Sequence, residues 1–314
     1  MQLSERIGRR MKLQDLHVLM TVVQEGSMGK AARRLHTSQP AISRSIAALE
    51  HAFAVRLLQR TAQGVEPTEY GRALLDGGVA VFDDLRQAVR NIEFLSDPTA
   101  GEVRVGSTVF TAASFVCAVI DRVSRRYPQV KFHLVTATWE GLHRELSERR
   151  VDLLITRRFG PSPDQRLNFE FLFDDSFVVA AGAQSPWARR RKIELRELVN
   201  ESWVLPPPES VVSSIAMEAF RASGLDYPRA TVVTLTPEVR MSLLATGRFI
   251  TIFPASMVSF SAKRPELKVL PVKLPMARVP SGIVTLKNRS LGNVAKLFME
   301  SAREMAKGLR KQES

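Results

Sequence analysis

Seven consecutive residues, Ser38-Gln39-Pro40-Ala41-Ile42-Ser43-Arg44, concentrate side chains suited to a nucleic acid. Arginine can donate two hydrogen bonds to a guanine edge, glutamine can pair with adenine, and serine adapts to a base or bonds a phosphate. Thr37 and Ser38 flank the start, so a helix beginning here would present Gln39, Ser43 and Arg44 together, with small Ala47 beside them. Downstream, Arg60 lies in the first of two short extended runs, Leu57–Arg60 and Val65–Pro67, joined by Thr61-Ala62-Gln63-Gly64 in the manner of a hairpin. As a wing, that hairpin would bring a guanidinium to the minor groove, where narrow A·T tracts attract it. As an ordinary surface loop it would bring nothing.

The elements that must position these side chains follow from periodicity. Leu13, Leu16, Leu19, Met20, Val22 and Val23 recur at helical spacing and predict a first helix, which Gly26 breaks. Ser27 can cap a second, short helix through Leu35, and the small pair Ala31-Ala32 lets a neighbour approach. After a turn at His36-Thr37, Ser38 can cap a third helix, roughly Gln39 to Phe53, which tolerates Pro40 because first-turn N–H groups have no intrahelical partner. Ile42, Ile46 and Leu49 share one face of it. Two short helices joined by a tight turn, the second with a polar leading surface, match a helix-turn-helix that lays its second helix in the major groove. A three-helix cluster with a solvated polar face has the same periodicity.

From Glu69 to Leu95 there is no proline, and Leu74, Gly78, Val81, Leu85, Ala88, Ile92 and Leu95 alternate spacings of four and three, a heptad seam. A second row, Leu75, Phe82 and Val89, widens the stripe. Such a helix predicts a homodimer, and two-fold symmetry then predicts an inverted-repeat operator. Ser96-Asp97-Pro98-Thr99-Ala100-Gly101 ends the helix and is expected to act as a hinge-like linker.

The ordered series Gln24-Glu-Gly-Ser27, Ala31-Ala32, Leu35-His36, Ser38-Gln-Pro-Ala-Ile-Ser-Arg44, Ile46, Leu49-Glu50, Val55-Arg-Leu57, Arg60, Pro67-Thr68 and Gly71 resembles the DNA-binding head of the LysR-type transcriptional regulators. The resemblance implies a winged helix-turn-helix over residues 1–68, a dimerisation linker helix over 69–96 and an effector-binding domain over 97–314. It places Gln39, Pro40, Ser43 and Arg44 at the DNA, with Arg60 on the wing; Thr37 and Ser38, flanking the helix start, are expected at the DNA as well. One departure stands out. Where the family usually has glycine after the recognition helix this chain has Ala54, which in a left-handed conformation would cost roughly 1–2 kcal/mol.

The remaining two-thirds alternates strands and helices: Glu102–Gly106, Ala112–Arg126, Val130–Val135, Trp139–Arg149 and Val151–Ile155, then Phe177–Ala181, Trp203–Leu205, Val211–Ala222, Thr231–Leu235, Glu238–Thr246 and Phe249–Phe253, and last Gly282–Leu286 and Leu291–Lys311. Alternation predicts an α/β module with parallel sheets covered on both faces. The resemblance implies two Rossmann-like, periplasmic-binding-protein-like subdomains, about 101–173 with 277–314 and about 174–276. Ligands of open α/β sheets sit beyond strand carboxyl ends, which singles out Ser107, Thr108, Thr111, Thr138, Trp139 and Arg157; Thr136 likewise follows the second strand. The resemblance adds the loops at Pro206 and Thr236. Serines and threonines before helices are also ordinary caps. Arg157 matches a position where some family members hold a carboxylate, so an organic anion is the expected effector.

Composition sets the outer bounds. The 314 residues, 45% hydrophobic and 25% charged, suit a globular protein of two or three domains. The longest uncharged stretch, Val105–Ile120, carries Ser107, Thr108, Thr111 and Ser114 and makes a poor membrane span; Met1–Arg10 lacks an apolar signal core, so a cytoplasmic location is expected. Net charge is +13, but residues 1–96 hold 13 basic against 10 acidic residues, and 97–314 hold 32 against 22. Most of the surplus therefore lies outside the DNA-reading segment. Phosphate-cradle, nucleophile-elbow and zincin motifs are absent, so no catalytic residue, metal or cofactor is expected. Cys117, the single cysteine, reads as a small buried hydrophobe on its helix, with a redox sensor as the other reading. The partners implied are double-stranded DNA, a small-molecule effector, a second copy or three more copies of the chain and, for an activator, RNA polymerase. A solute-binding protein is the competing reading, and the first 96 residues argue against it.

Overall fold

The computed structural model describes residues 11–62, 64–160, 164–260 and 266–312, and the chain falls into two compact units divided between Ala88 and Val89. In the first unit, α1 (Leu13–Glu25), α2 (Met28–Arg34) and α3 (Gln39–Phe53) bury Leu16, Leu19, Val22, Ala31, Ile42, Ile46 and Leu49 against one another. Helix α1 stops at Gly26, whose φ of 65° is left-handed, and the Ser27 hydroxyl accepts from the Lys30 N–H to start α2. Ser38 does the same for α3, accepting from the Ala41 N–H at 3.4 Å. Strands β1 (Leu58–Thr61) and β2 (Gly64–Pro67) pair antiparallel with Arg60 opposite Val65; Gln63, in the expected hairpin turn, lies outside the described residues, as do Met1–Arg10. The Val65 N–H bonds the Gly26 carbonyl at 2.9 Å, and a Cβ on Gly64 would come within 2.4 Å of that same oxygen. Close approach of two glycines thus seats the wing on the α1–α2 turn.

Helix α4 (Glu69–Ser96) opens with Thr68, whose hydroxyl accepts from the Gly71 N–H and donates to the Arg56 carbonyl. Its first turns press Leu74 and Leu75 on the head's core, and Phe82 meets the His17 ring at 5.6 Å. Val81, Leu85, Val89, Ile92 and Leu95 stay exposed, from 40% to 77%.

In the second unit the last two turns of α4 are fastened down. Arg90 Nη2 lies 2.9 Å from Glu102, the Asn91 side-chain oxygen accepts from the Asn293 N–H, and Phe94 packs on the core. Beyond Ser96 the chain makes a tight turn, with Asp97 accepting from both the N–H and the hydroxyl of Thr99, and a strand starts at Ala100. The expected hinge-like linker is therefore a hydrogen-bonded corner.

The elements that follow are β3 (Ala100–Ser107), α5 (Val109–Thr111), a π-helical turn (Ala112–Val116), α6 (Cys117–Arg126), β4 (Gln129–Thr136), α7 (Trp139–Ser147), β5 (Leu153–Arg157), β6 (Leu167–Asp175), β7 (Phe177–Gly182), β8 (Trp203–Leu205), α8 (Val211–Ala222), β9 (Ala230–Val233), α9 (Pro237–Ala245), β10 (Ile250–Pro254), α10 (Ser256–Ser259), β11 (Leu267–Val269), β12 (Val279–Leu286) and α11 (Asn293–Gln312). They form two five-stranded sheets, ordered β4-β3-β5-β12-β6 and β11-β7-β10-β8-β9. Neither is wholly parallel, contrary to expectation. Strand β12 runs antiparallel between β5 and β6, and β7 runs antiparallel beside β10 and β11, because the chain crosses between sheets at Ser176 and returns before Val279.

Four further features depart from the sequence reading. Strand β6 lies outside the expected series although Leu167, Phe169, Phe171 and Phe173 alternate, and so does the three-residue β11. The helix expected from Ala112 begins at Val109 and carries a π turn, where the Ser114 hydroxyl bonds back to the Phe110 carbonyl at 2.7 Å. Cys117 is exposed rather than buried, because Val116 and Val119 take the inward face.

Helix α3 does end in a left-handed Ala54, φ 57° and ψ 30°. Ala54→Gly removes that strain, while the added freedom of the unfolded chain returns part of the gain. A net stabilisation of about 0.5–1 kcal/mol is expected, read as severalfold slower hydrogen exchange of the α1 and α3 core amides in the full chain. Faster exchange would show that Ala54 is unstrained.

Candidate nucleic-acid surface and ligand cleft

The buried stripe of α3 leaves its other side in water. Thr37, Ser38, Gln39, Pro40, Ser43 and Arg44 are all exposed, whereas Ile42, Ile46 and Leu49 are buried. Arg60 is exposed on β1 and, like Arg44, forms no ion pair among the described residues. Polar donors on an α-helical leading turn with two unpaired guanidinium groups nearby form a surface that can bond base edges and phosphates.

Sequence reasoning missed what braces this surface. Glu50, in the last turn of α3, accepts from the Leu57 N–H at 2.8 Å and the Leu58 N–H at 3.4 Å, and pairs with Arg56 at 3.0 Å. One carboxylate thus ties the recognition helix to the first strand of the wing. An acid near a helix C-terminus opposes the helix dipole, and that mismatch was the available signal.

The second unit holds a cleft of about 940 Å³. Trp139, Thr156, Arg158, Phe159, Phe169, Arg278 and Lys287 border it from the first sheet and its flanking chain, and Val211 and Ile215 border it from the first turns of α8. The Arg158 guanidinium lies 4.2 Å from the centre of the Phe169 ring. Three cations with apolar and aromatic walls favour a small anion bearing a carbon body. Asp164, also at the cleft, is bonded to His143 at 2.8 Å and held well below the usual carboxylate range, first by the Arg166 side chain and then by the Arg166 N–H and His143.

Of the ligand-contacting residues expected from sequence, only Trp139 borders this cleft. Thr138 caps α7, accepting from the Gly141 N–H. Ser107 is buried, its hydroxyl donating to the Ile155 carbonyl at 2.7 Å, and the Thr108 hydroxyl bonds that of Thr111. Pro206 is buried and its carbonyl accepts from Ser213, while Thr236 is exposed at the start of α9. Arg157 is buried with its guanidinium facing the Phe159 and Phe177 rings at 6.0 and 5.7 Å. The physical reason for the split is strand alternation. Ser107 and Arg157 point to the face covered by α6 and α11, with Val103, Val105 and Ile155, whereas Thr156 and Arg158 belong to the α7 face where the cleft opens. Arg158, which follows Arg157 on the other face, borders the cleft, and alternation along β5 could have found it. Trp203 and Trp187 serve packing.

Comparison with known proteins accords with these surfaces. Residues 13–72 match the family described as bacterial regulatory helix-turn-helix protein, lysR family, and residues 96–307 match the LysR substrate binding domain. The chain is 24% identical over 295 residues to the HTH-type transcriptional regulator GbpR of Azospirillum brasilense, covering 94% of this chain and 86% of that protein. It is 27% identical over 292 residues to the transcriptional dual regulator GltC of Bacillus subtilis, covering 92% and 96%. Among solved structures, full-length OxyR of Pseudomonas aeruginosa superposes with a TM-score of 0.64 at 23% identity, covering 93% of this chain and 95% of that one. Full-length CbnR bound to its target DNA gives 0.54 at 21% identity, with 94% and 100% covered.

The Glu50 brace predicts a graded response. Glu50→Ala leaves the Leu57 and Leu58 N–H groups without their acceptor and should lower head stability by about 1–3 kcal/mol, with DNA affinity falling alongside in a mobility-shift titration. Glu50→Gln, which keeps an acceptor, should lose less. Equal losses in both variants would locate the effect in charge alone.

Proposed function

Because the chain belongs to the LysR family of bacterial helix-turn-helix regulators, we propose that it binds an inverted-repeat operator in double-stranded DNA as a homodimer or homotetramer and responds to a small organic anion. Membership makes it a DNA-binding transcriptional regulator with an effector-binding domain. The observation that carries the finer reading is the pairing of two surfaces: an exposed polar leading turn on α3 and, in the other unit, a cleft bordered by Arg158, Arg278 and Lys287.

In this reading Gln39, Ser43 and Arg44 meet base edges, Thr37, Ser38 and Pro40 set the approach to the backbone, and Arg60 enters the minor groove. The exposed row Val81, Leu85, Ile92 and Leu95 on α4 buries itself against a second copy. Effector binding changes the DNA-bound arrangement only through unequal affinity for two arrangements of the assembly. The chain acts in the cytoplasm, without catalysis, metal or cofactor, and as an activator it would also meet RNA polymerase. Among the described residues no helix is long and apolar enough to cross a membrane.

Mobility-shift titration across a salt series tests the DNA half. Binding should weaken as salt rises through counterion release, and Arg44→Ala should cost about 1–3 kcal/mol at one base position while relaxing preference there. An unchanged ratio of operator to random-DNA affinity would remove Arg44 from base readout. Calorimetric titration tests the other half: carboxylates should give heat where neutral analogues do not, and Asp164→Asn, by deleting a negative charge at the cleft, should tighten carboxylate binding severalfold. Heat from neutral compounds alone would exclude an anionic effector.

A further inference from the structure

Residues 189–197 crowd five cations against two acids: Arg189-Arg190-Arg191-Lys192 and Arg196 against Glu194 and Glu197. The run follows β7 at the edge of the second sheet and is held in one shape. Ser185, itself buried, accepts from the Trp187 N–H at 3.4 Å and starts a 3-10 turn over Pro186–Arg189, while Trp187 packs on the core of that sheet. Arg190 closes the corner, its guanidinium 5.7 Å from the centre of the Trp187 ring and 2.8 Å from Glu197. Ile193 and Leu195 are buried, and Ile193 bridges to Val272. Glu194 is taken up by Arg196 at 2.6 Å.

Arg189, Arg191 and Lys192 have no such role. All three are exposed, and none forms an ion pair among the described residues. Two more exposed cations extend the patch: Lys273, next to Val272 of the bridge, and Lys268 on β11, an edge strand of the sheet. Like charges held together repel, so this corner is more stable under a covering polyanion than bare.

The charge of the whole chain is distributed in the same sense. Residues 1–96 carry a net +3, 13 basic less 10 acidic, and residues 97–314 a net +10, 32 less 22. Phosphate attraction grows with the number of cations brought to the duplex, and the DNA-reading segment is the poorer of the two in surplus cations. Arginine forks suit phosphate oxygens, and lysine adds a point charge. Duplex DNA is the polyanion that LysR-family membership brings to this chain. Arg189–Lys192 sets no apolar side chain between its charges, which suits a phosphate backbone better than a protein partner, whose interfaces are built on apolar anchors.

We propose that Arg189, Arg191 and Lys192, continued by Lys268 and Lys273, bind the phosphates of duplex DNA without reading its sequence. The effector unit then adds an electrostatic grip to the base-reading head.

The test is a mobility-shift titration of the full chain on a random-sequence duplex of about 60 base pairs, between about 50 and 200 mM sodium chloride. One variant combines Arg189→Gln, Arg191→Gln and Lys192→Gln. A second combines Arg122→Gln, Arg125→Gln and Arg126→Gln, exposed on α6, and removes the same charge elsewhere. At about 0.9 per phosphate contact, the first variant should flatten the slope of log affinity against log salt by about 2–3 and bind about tenfold more weakly at the lowest salt. The second should keep the wild-type slope. Both should melt at the wild-type temperature, because the substituted side chains are exposed. If the first melts lower, Lys192→Gln alone should still flatten the slope by about 1. Equal losses in both variants would assign the effect to net charge and overturn the surface. An unchanged slope in the first variant would overturn it too, and loss of polyglutamate binding in that variant would give the corner to an acidic protein instead.

Discussion

The burial of Ile42, Ile46 and Leu49 against α1 and α2 orients the whole DNA-reading end of the chain. A helix cannot rotate one side chain into its core without turning the rest, so the stripe holds Gln39, Ser43 and Arg44 outward as firmly as it holds the apolar residues inward. The caps at Ser27 and Ser38 set where α2 and α3 begin. Glu50 then transfers that orientation to the wing by accepting from Leu57 and Leu58, and Gly64 lets the hairpin rest on the Gly26 carbonyl.

The same constraint operates in the second unit with a period of two. Along β5 adjacent residues must face opposite ways, so Arg157 and Arg158 live in different environments although they are neighbours in sequence. One lies over the Phe169 ring at the open cleft, and the other lies among Phe159, Phe177 and Ser281. Arg240 offers a contrast within the same unit. It too is buried and drawn down to about 10 by burial, but its nitrogens reach the Thr234 and Ile252 carbonyls and the Thr251 hydroxyl. Backbone acceptors make that guanidinium structural, and Arg157 lacks them on two nitrogens.

Helix α4 belongs to both units. Its first turns complete the head's core, and its last turns are bound to the effector unit through Arg90, Asn91 and Phe94. Asp152 anchors that junction: buried, it accepts from the Arg104 N–H and from Arg289, and lies 3.7 Å from Arg90. Removing one partner from such a buried network is costly because the remaining charge is left without compensation. The corner at Asp97–Ala100 therefore continues a fastened segment, and the division between units falls higher up, at Ala88.

Local chemistry was legible from the sequence because it depends on neighbours a few residues away. Apolar spacing and capping serines located α1 to α4 to within about two residues, whereas the left-handed backbone at Ala54, raised by the resemblance only as a condition, was decided by the structure. The strand–helix alternation likewise marked most of the second unit, although β6 was overlooked despite its alternating phenylalanines. Only the tertiary structure decided how strands order and which direction they run, since β12 finds its place between β5 and β6 through hydrogen bonds across more than a hundred residues. It also decided which polar residues at the strand ends face a cleft, which cap a helix and which are buried without partners. Those outcomes depend on which face of the sheet each neighbouring helix covers, and that information is absent from any local stretch of chain.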